Sequence, residues 1–228
     1  MNSISTKSIF LVFPFLLVLS GCLETTEPGL PNRVALDFRV GNVGTTIERG
    51  QDELNVSGVK LLIDKFNLLT DTEAKLQTDV GPLVMSYSSL DGEYNNVVEC
   101  NIAFEDINTF TAIKLFISKL ESGESVSDPD FSGAEQNYSI VIRGTYNGTD
   151  FFYRSQTSFE RQLDFAGPVD LGSDSKTLQV NILTNVNNFM VDPETNEILS
   201  PNESSNTAVI DSLLRRSLNV NASAMNTL

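Results

Sequence analysis

Histidine and tryptophan are absent from the 228 residues, and cysteine occurs only twice. Without histidine, the chain cannot form a Ser-His-Asp triad, a Cys-His nucleophile pair or a His-ligated zinc site. Basic residues are also scarce: 15 Lys and Arg stand against 30 Asp and Glu, a formal net charge of −15. This balance argues against nucleic acid as a partner, because phosphate binding needs clustered basic residues. The 40% hydrophobic content suffices for a core.

The N-terminal residues have the pattern of a secretion signal. Residues 1–8 carry a single charge, Lys7, and residues 9–19 form an unbroken apolar run. A helix over this run would be about 16 Å long, roughly half the thickness of a bilayer core. We therefore predict that residues 1–21 are a signal peptide that is removed, and not a membrane-spanning helix.

The apolar run ends in Leu19-Ser20-Gly21-Cys22, which resembles the lipobox of bacterial lipoproteins. The resemblance implies signal cleavage between Gly21 and Cys22, a thioether-linked diacylglycerol on Cys22, and acylation of the new N-terminus. Two or more acyl chains anchor a protein stably in a membrane. The implied location is the cell envelope, with the outer membrane favoured over the inner. An ordinary secretory signal followed by a chance cysteine is the alternative.

The remaining chain divides by composition into a tether, a body and a tail. Residues 22–32 contain two prolines and a glycine without apolar periodicity, so they predict a flexible lipidated tether. We expect a β-sandwich domain over residues 33–220, and a frayed tail over 221–228. The acidic segment 122–136 predicts either a mobile loop or a seam between two halves of the domain.

An apolar period of two dominates the body. In residues 33–40, Val34, Leu36, Phe38 and Val40 share one face, and Arg33, Asp37 and Arg39 share the other. Similar strand patterns occupy 57–70, 82–87, 97–104, 110–120, 159–165 and 177–184. The phase shifts near Lys65-Phe66, which predicts a bulge or a bend. The fold class is therefore mainly β: an antiparallel β-sandwich of about nine strands with one C-terminal amphipathic helix.

The strongest local signal is the hairpin around Asn147-Gly148, which lies between two β-rich runs. A type I′ turn needs positive φ at both central residues, which Asn-Gly provides. The two-residue loop fixes the register, so that Tyr146 faces Thr149 and Ile142 faces Tyr153. The face predicted to lie in the core contains Ile140, Ile142, Tyr146, Phe151 and Tyr153; the face predicted to meet solvent contains Arg143, Thr145, Asp150 and Arg154.

Residues 204–220 depart from the period of two and predict the amphipathic helix. Ile210, Leu213 and Leu214 have helical spacing, and Asn206 or Thr207 can cap the N-terminus. We favour a helix that covers an edge of the sheet over one that binds a partner.

Acidic residues and one cysteine are the remaining candidates for chemistry. Asp192, Glu194, Asn196 and Glu197 place oxygens close together in a loop, and Ca²⁺ prefers such oxygen ligands. The spacing of an EF-hand is missing, so we favour a solvated acidic turn over a calcium site. Cys100 alternates with apolar residues and predicts a buried side chain. We predict no catalytic residue and no cofactor apart from the lipid on Cys22.

Residues 108–218 resemble envelope lipoproteins with a β-sandwich body, to which no activity is assigned. The resemblance rests on NTFTAIKLFI at 108–117, YSIVIRGTYNGTDFFYRS at 138–155 and the C-terminal helix. It implies a non-enzymatic protein that presents an interaction surface to an envelope protein or a glycan. The alternatives are a fimbrial or assembly subunit that pairs strands, and a hydrolase that uses two carboxylates.

Overall fold

The computed structural model describes residues 33–70, 75–77, 81–89, 97–101, 109–171 and 176–226. Within these ranges the chain forms twelve strands and two α-helices. The strands are β1 (Arg33–Gly41), β2 (Thr46–Arg49), β3 (Asp52–Leu69), β4 (Lys75–Gln77), β5 (Leu83–Ser88), β6 (Val97–Asn101), β7 (Thr109–Ile117), β8 (Ile140–Tyr146), β9 (Thr149–Ser155), β10 (Phe159–Asp170), β11 (Lys176–Asn185) and β12 (Asn219–Asn226). The helices are α1 (Val186–Met190) and α2 (Thr207–Ser217).

The small sheet has the strand order β12-β11-β1-β6. β1 and β11 run parallel, and the other pairs in this sheet are antiparallel. The prediction of a wholly antiparallel sandwich is therefore corrected at this pair. In the middle of β1 both faces are covered, because Ala35 and Asp37 are buried along with Val34 and Leu36. Asp37, predicted to face solvent, instead pairs with Arg39.

The large sheet is built on the long strand β3. Its register shifts twice, once between Val56 and Gly58 and once between Ile63 and Lys65. The second shift confirms the bulge or bend predicted near Lys65-Phe66. Each shift lets the strand bend, so that its two halves pair with different neighbours.

The pairing registers show how β7 and β8 are arranged along β3. β5 pairs with one side of β3 across residues 58–63. On the opposite side, β8 pairs with residues 54–61 and β7 with residues 63–69. β7 and β8 therefore follow one another along the same side of β3.

β9 pairs with β8, and β10 pairs with β7. β9 and β10 therefore lie end to end on one edge of the large sheet, which we call the β9–β10 edge. At its β10 end this edge contacts β12 of the small sheet. The β9 end is separated from β10 by residues 156–158.

The apolar faces of both sheets and of α2 form one core. Its largest buried side chains include Phe38, Phe66, Phe110 and Phe189. α2 contributes Ile210, Leu213 and Leu214 to this core. The hydroxyl oxygen of Tyr153 on β9 lies 3.2 Å from the backbone oxygen of Thr207 at the start of α2. The helix thus lies against the inner face of the β9–β10 edge.

The predicted fold class is confirmed: the chain is mainly β, with two packed sheets and a C-terminal helix. The structure has more strands than the nine predicted, because β2 and β4 are short and because residues 221–226 pair with β11. These residues were predicted to fray. Val220 and Ala222 pack against the core, which holds β12 in place. α2 is shorter than predicted, and a 3₁₀ turn precedes it at Ser204–Asn206.

The segment 122–136 lies on the outer face of the large sheet, between the ends of β7 and β8. A 3₁₀ turn at Pro129–Phe131 inserts Phe131, which is fully buried, against Leu62, Leu120 and Val141. We call this segment the cover loop. Its contacts form a second, small apolar cluster on the outer face. The division of the domain into two halves stays a prediction.

Candidate functional site

The sequence predicts site residues in the lipobox and in the acidic loop 192–197. Gly21 and Cys22 fall outside the described residues. No helix within the described ranges combines the length and the hydropathy of a membrane span. Cys100 is 1% exposed, which confirms the prediction that it is buried.

The acidic loop 192–197 binds its own backbone. Oδ1 of Asp192 accepts from the backbone N–H groups of Glu194 at 2.7 Å and Thr195 at 3.3 Å. Oδ1 of Asn196 accepts from Nε of Arg49 at 3.2 Å. Glu194 and Glu197 are exposed. In the described part of the chain, no three His, Cys, Asp or Glu residues meet in a geometry suited to a metal ion. The arrangement is that of a hydrogen-bonded turn.

Two adjoining depressions lie on the outer face of the large sheet. They have volumes of about 590 and 390 Å³ and share Ser57 and Arg143 in their walls. We call the combined feature the Arg143 groove. The remaining lining residues that bear polar groups or rings include Asn55, Lys60, Tyr87, Asp130, Thr145, Asp150 and Phe152.

The floor of the Arg143 groove depends on a close approach of two strands. A Cβ atom on Gly144 of β8 would lie 2.0 Å from the backbone oxygen of Asn55 on β3. Only glycine permits this contact beside the bulge between Val56 and Gly58. The bulged residue, Ser57, lines both depressions, and its carbonyl accepts from the N–H of Ser89 at 3.0 Å.

The charges in one wall of the groove are paired with each other. Nζ of Lys60 lies 2.6 Å from Oδ2 of Asp128 and 2.8 Å from Oδ2 of Asp130, both in the cover loop. Arg143 donates from Nη2 to Oδ1 of Asp130. Burial alone would raise the pKa of Asp130, but the hydrogen bonds and charges of Lys60 and Arg143 outweigh it and lower that pKa. Burial alone would lower the pKa of Lys60, but the hydrogen bonds and charges of Asp128 and Asp130 outweigh it and raise that pKa.

An aromatic and cationic ladder stands beside the groove. The guanidinium carbon of Arg143 lies 4.2 Å from the ring centre of Phe152, its cross-strand neighbour. Arg154 lies 4.8 Å from the same ring and 4.2 Å from the ring of Tyr138. Phe152 is 42% exposed, although it is large and apolar. These contacts hold both guanidinium groups beside the exposed ring, while Arg143 also donates to Asp130.

The sequence analysis placed Arg143, Asp150 and Arg154 on the solvent face, and the structure confirms this for all three. It did not single out Phe152. The signal was present, because the period of two puts Phe152 on the same face as Asp150 and Arg154. The partners across the groove come from β3 and the cover loop, which local periodicity does not connect.

A second polar cluster lies inside the molecule, between β9 and α2. The carboxylate of Asp211, 4% exposed, accepts from the Tyr153 hydroxyl at 2.6 Å and the Ser155 hydroxyl at 2.6 Å. The Thr157 hydroxyl donates to the same carboxylate. Burial, followed by the hydrogen bond and charge of Asp211, raises the pKa of Tyr153 far above its usual value. This enclosed cluster fastens α2 to the sheet.

Comparison with known proteins adds little to this description. No family model matches the chain, and no curated protein sequence matches it. Among solved structures, MbnP from Methylosinus trichosporium matches with a TM-score of 0.37 and 8% sequence identity. The match covers 73% of this chain and 79% of that chain. A similarity of this size carries no argument about function.

Proposed function

We propose that this chain is a lipid-anchored, non-enzymatic protein of the bacterial cell envelope, attached through acyl chains on Cys22. The sequence Leu19-Ser20-Gly21-Cys22 after an eleven-residue apolar run supports the anchor. Residues 22–32 then tether the β-sandwich to the membrane, and the surface of the sandwich faces the envelope. The outer membrane is the expected location.

The Arg143 groove is the proposed binding surface, and the observation that supports it is the exposed ring of Phe152 between two stacked arginines. The groove joins this ring to hydroxyl and amide groups from Asn55 and Ser57. Lys60 and Arg143 are already paired with aspartates, so the wall offers directed hydrogen bonds without a strong net field. A glycan, which combines hydroxyl groups with apolar faces, fits this chemistry.

Binding fits the groove better than hydrolysis. A carboxylate that acts as a general acid needs a raised pKa, whereas the pKa of Asp130 is lowered. Asp150, on the far side of the groove, is exposed. A carboxylate-based hydrolase therefore has less support than a binding protein.

The anchor is tested by Cys22→Ser, compared with Ser20→Ala, which keeps a small residue in the lipobox. We expect Cys22→Ser to abolish acyl labelling and to release the protein from the membrane fraction, and Ser20→Ala to change neither. If Cys22→Ser protein is still acylated and sediments with membranes, the anchor proposal is wrong.

The groove is tested by co-sedimentation with isolated peptidoglycan, chosen as the envelope glycan. We expect Arg143→Ala to weaken binding about tenfold, the loss typical of one well-placed charged contact. Lys65→Ala is the matched control, because Lys65 also stacks on an outer-face ring, that of Phe116, but away from the groove. Absence of binding by the native protein, or equal binding by both variants, would contradict the glycan proposal.

The second candidate function, an assembly subunit that pairs strands, is favoured by one observation. β9 forms an edge of the large sheet, and its backbone groups on that side are available to another strand.

A further inference from the structure

Among the described strands, β9 pairs with β8 alone and so forms an edge of the sheet. Its residues pair with β8 in unbroken register from Ile140↔Ser155 to Tyr146↔Thr149. Among the described residues, no backbone hydrogen bond reaches β9 from the side opposite β8. Edge strands in monomeric proteins carry features that block further pairing.

The β10 half of the same edge has such features. Its register shifts between Asp164 and Val169, and this irregular stretch contains Gly167-Pro168. It also contacts β12 of the small sheet. β9 contains no glycine, no proline and no bulge over its seven residues. The two halves of one edge therefore differ in whether they can accept another strand.

The turn determines which β9 groups point outward. Asn147 and Gly148 have φ values of 52° and 73°, as a two-residue type I′ hairpin requires. In such a hairpin the residues flanking the loop form a hydrogen-bonded pair, and bonded and non-bonded pairs then alternate. Thr149, Phe151 and Tyr153 thus direct their backbone groups toward β8. The N–H and C=O groups of Asp150, Phe152 and Arg154 point to the open side.

When two copies of β9 run antiparallel, oppositely charged residues face each other. The strand reads Thr-Asp-Phe-Phe-Tyr-Arg-Ser over residues 149–155. In an antiparallel pair of two copies centred on Phe152, Asp150 lies opposite Arg154 on both sides of the centre, and Phe152 lies opposite itself. Asp150, Phe152 and Arg154 have outward backbone groups, and the same three residues face each other in this pair. Neither Asp150 nor Arg154 has an ion-pair partner among the described residues.

We propose that two copies of this chain pair through β9, antiparallel about a two-fold axis at Phe152. Six backbone hydrogen bonds would join the copies, two at each of three facing pairs. Two Asp150–Arg154 ion pairs and one Phe152 ring pair would lie on the outer face. The arrangement is isologous, so it closes as a dimer and does not extend into a filament. It goes beyond the proposed function and does not depend on the lipid. Asp150 and Phe152 also line the Arg143 groove, so a second copy and a groove ligand would compete for the Phe152 ring.

Self-pairing accounts for the exposure of Phe152. A ring that is 42% exposed in one copy would be covered by the same ring of the second copy. The net charge of −15 opposes association of two copies. The Asp150–Arg154 ion pairs across the edge would offset part of this repulsion. The ion pairs select this register, because a shift by two residues would separate them.

Cysteine cross-linking in the membranes that contain the full chain tests the two-fold axis. Phe152→Cys places a thiol on the axis, so we expect it to form an intermolecular disulfide on mild oxidation. Asp150→Cys and Arg154→Cys, each alone, lie off the axis and should form no intermolecular disulfide, whereas the two expressed together should cross-link. Gln162→Cys, on exposed β10, is the matched control and should not react. Equal cross-linking at all positions, or none at Phe152→Cys, would overturn the proposal.

Charge reversal tests the same pairing without new thiols. Asp150→Arg and Arg154→Asp should each weaken dimerisation of the detergent-solubilised full chain by about tenfold or more, because like charges then face each other. The double variant restores both ion pairs, and we expect its dimerisation to return to within about threefold of the native value. Sedimentation equilibrium measures the association constant. A double variant as weak as the singles would overturn the register, and concentration-dependent filaments would overturn the closed dimer.

Discussion

β9 and β10 lie end to end on one edge of the large sheet, yet they are stabilised in different ways. β10 directs Phe159, Leu163 and Phe165 inward and contacts β12, so the two sheets meet there. Among the described elements, β9 has no such neighbour, and α2 holds it from its inner face through Asp211. One edge can therefore be closed at one end by the opposite sheet and left open to a partner at the other. Contacts with α2 hold β9 in place from the side that faces the core.

The largest expected effect is the loss of the link between β9 and α2. Asp211→Ala leaves the hydroxyls of Tyr153, Ser155 and Thr157 without their acceptor, and should lower the free energy of unfolding by about 3–5 kcal/mol. Urea denaturation followed by circular dichroism measures this loss. Asp164→Ala, at an exposed position on β10, should change it by less than about 0.5 kcal/mol. Similar losses for both variants would show that the helix does not hold β9.

The second effect is a dependence on alkaline pH that originates at β9. The pKa of Tyr153 is raised in the folded protein, whereas its unfolded value is about 10. The unfolded chain therefore releases the phenol proton first. The stabilisation is complete below about pH 10 and is lost progressively as pH rises above it. We expect Tyr153→Phe to be less stable than the native protein at pH 7, and to lose less stability than the native protein between pH 10 and 11.

Tyr153→Phe is compared with Asp164→Ala, the exposed β10 variant, which should retain the native loss of stability above pH 10. Stability curves measured by urea denaturation at each pH make the comparison. Parallel curves for native protein and Tyr153→Phe would contradict the assignment.

The third effect concerns the β10 half of the edge. Arg161 shares the inward side of β10 with Phe159 and Leu163, and its Nε is buried without a hydrogen-bond partner among the described residues. An inward arginine of this kind discourages edge pairing at a cost in stability. Arg161→Leu should raise the free energy of unfolding by about 1 kcal/mol.

The same substitution at Arg154 on β9 removes a solvent-exposed, stacked side chain and should not stabilise the protein. Thermal and urea denaturation of both variants separate the two cases. The prediction is wrong if Arg154→Leu raises the free energy of unfolding, or if Arg161→Leu lowers it. Either result would mean that burial does not decide the effect of the two arginines on stability.

Local patterns predicted local structure well. The Asn147-Gly148 turn and the registers Tyr146↔Thr149 and Ile142↔Tyr153 are confirmed, because a two-residue loop leaves no freedom in register. The shift near Lys65 is confirmed because a bulge changes which residues face the core. Both signals lie within a few residues of the features they predict.

Features that depend on distant residues were missed. β12 consists largely of Ala, Asn and Ser, which have weak strand preference, and it forms because β11 offers an edge. The parallel pairing of β1 with β11 joins residues about 140 positions apart, which no period reveals. The role of Asp211 also depends on a distant strand, because its partners include the Tyr153 and Ser155 hydroxyls of β9. The groove likewise combines β3, β8, β9 and the cover loop.

The smallest expected effect separates arginine from lysine on the outer face. Arg154 stacks on Phe152 and Tyr138 at the β9 end, while Lys65 and Lys114 stack on Phe116 near β10. A planar guanidinium contacts a ring over its whole face, which an ammonium group cannot do. Arg154→Lys should therefore cost about 0.5 kcal/mol, and Lys65→Arg should cost nothing. A double-mutant cycle with Phe152→Leu isolates the stacking contribution from the charge, which Lys preserves. A coupling energy near zero would mean that stacking with Arg154 does not stabilise the exposed Phe152 ring. Pairing between copies would then be the remaining explanation for its exposure.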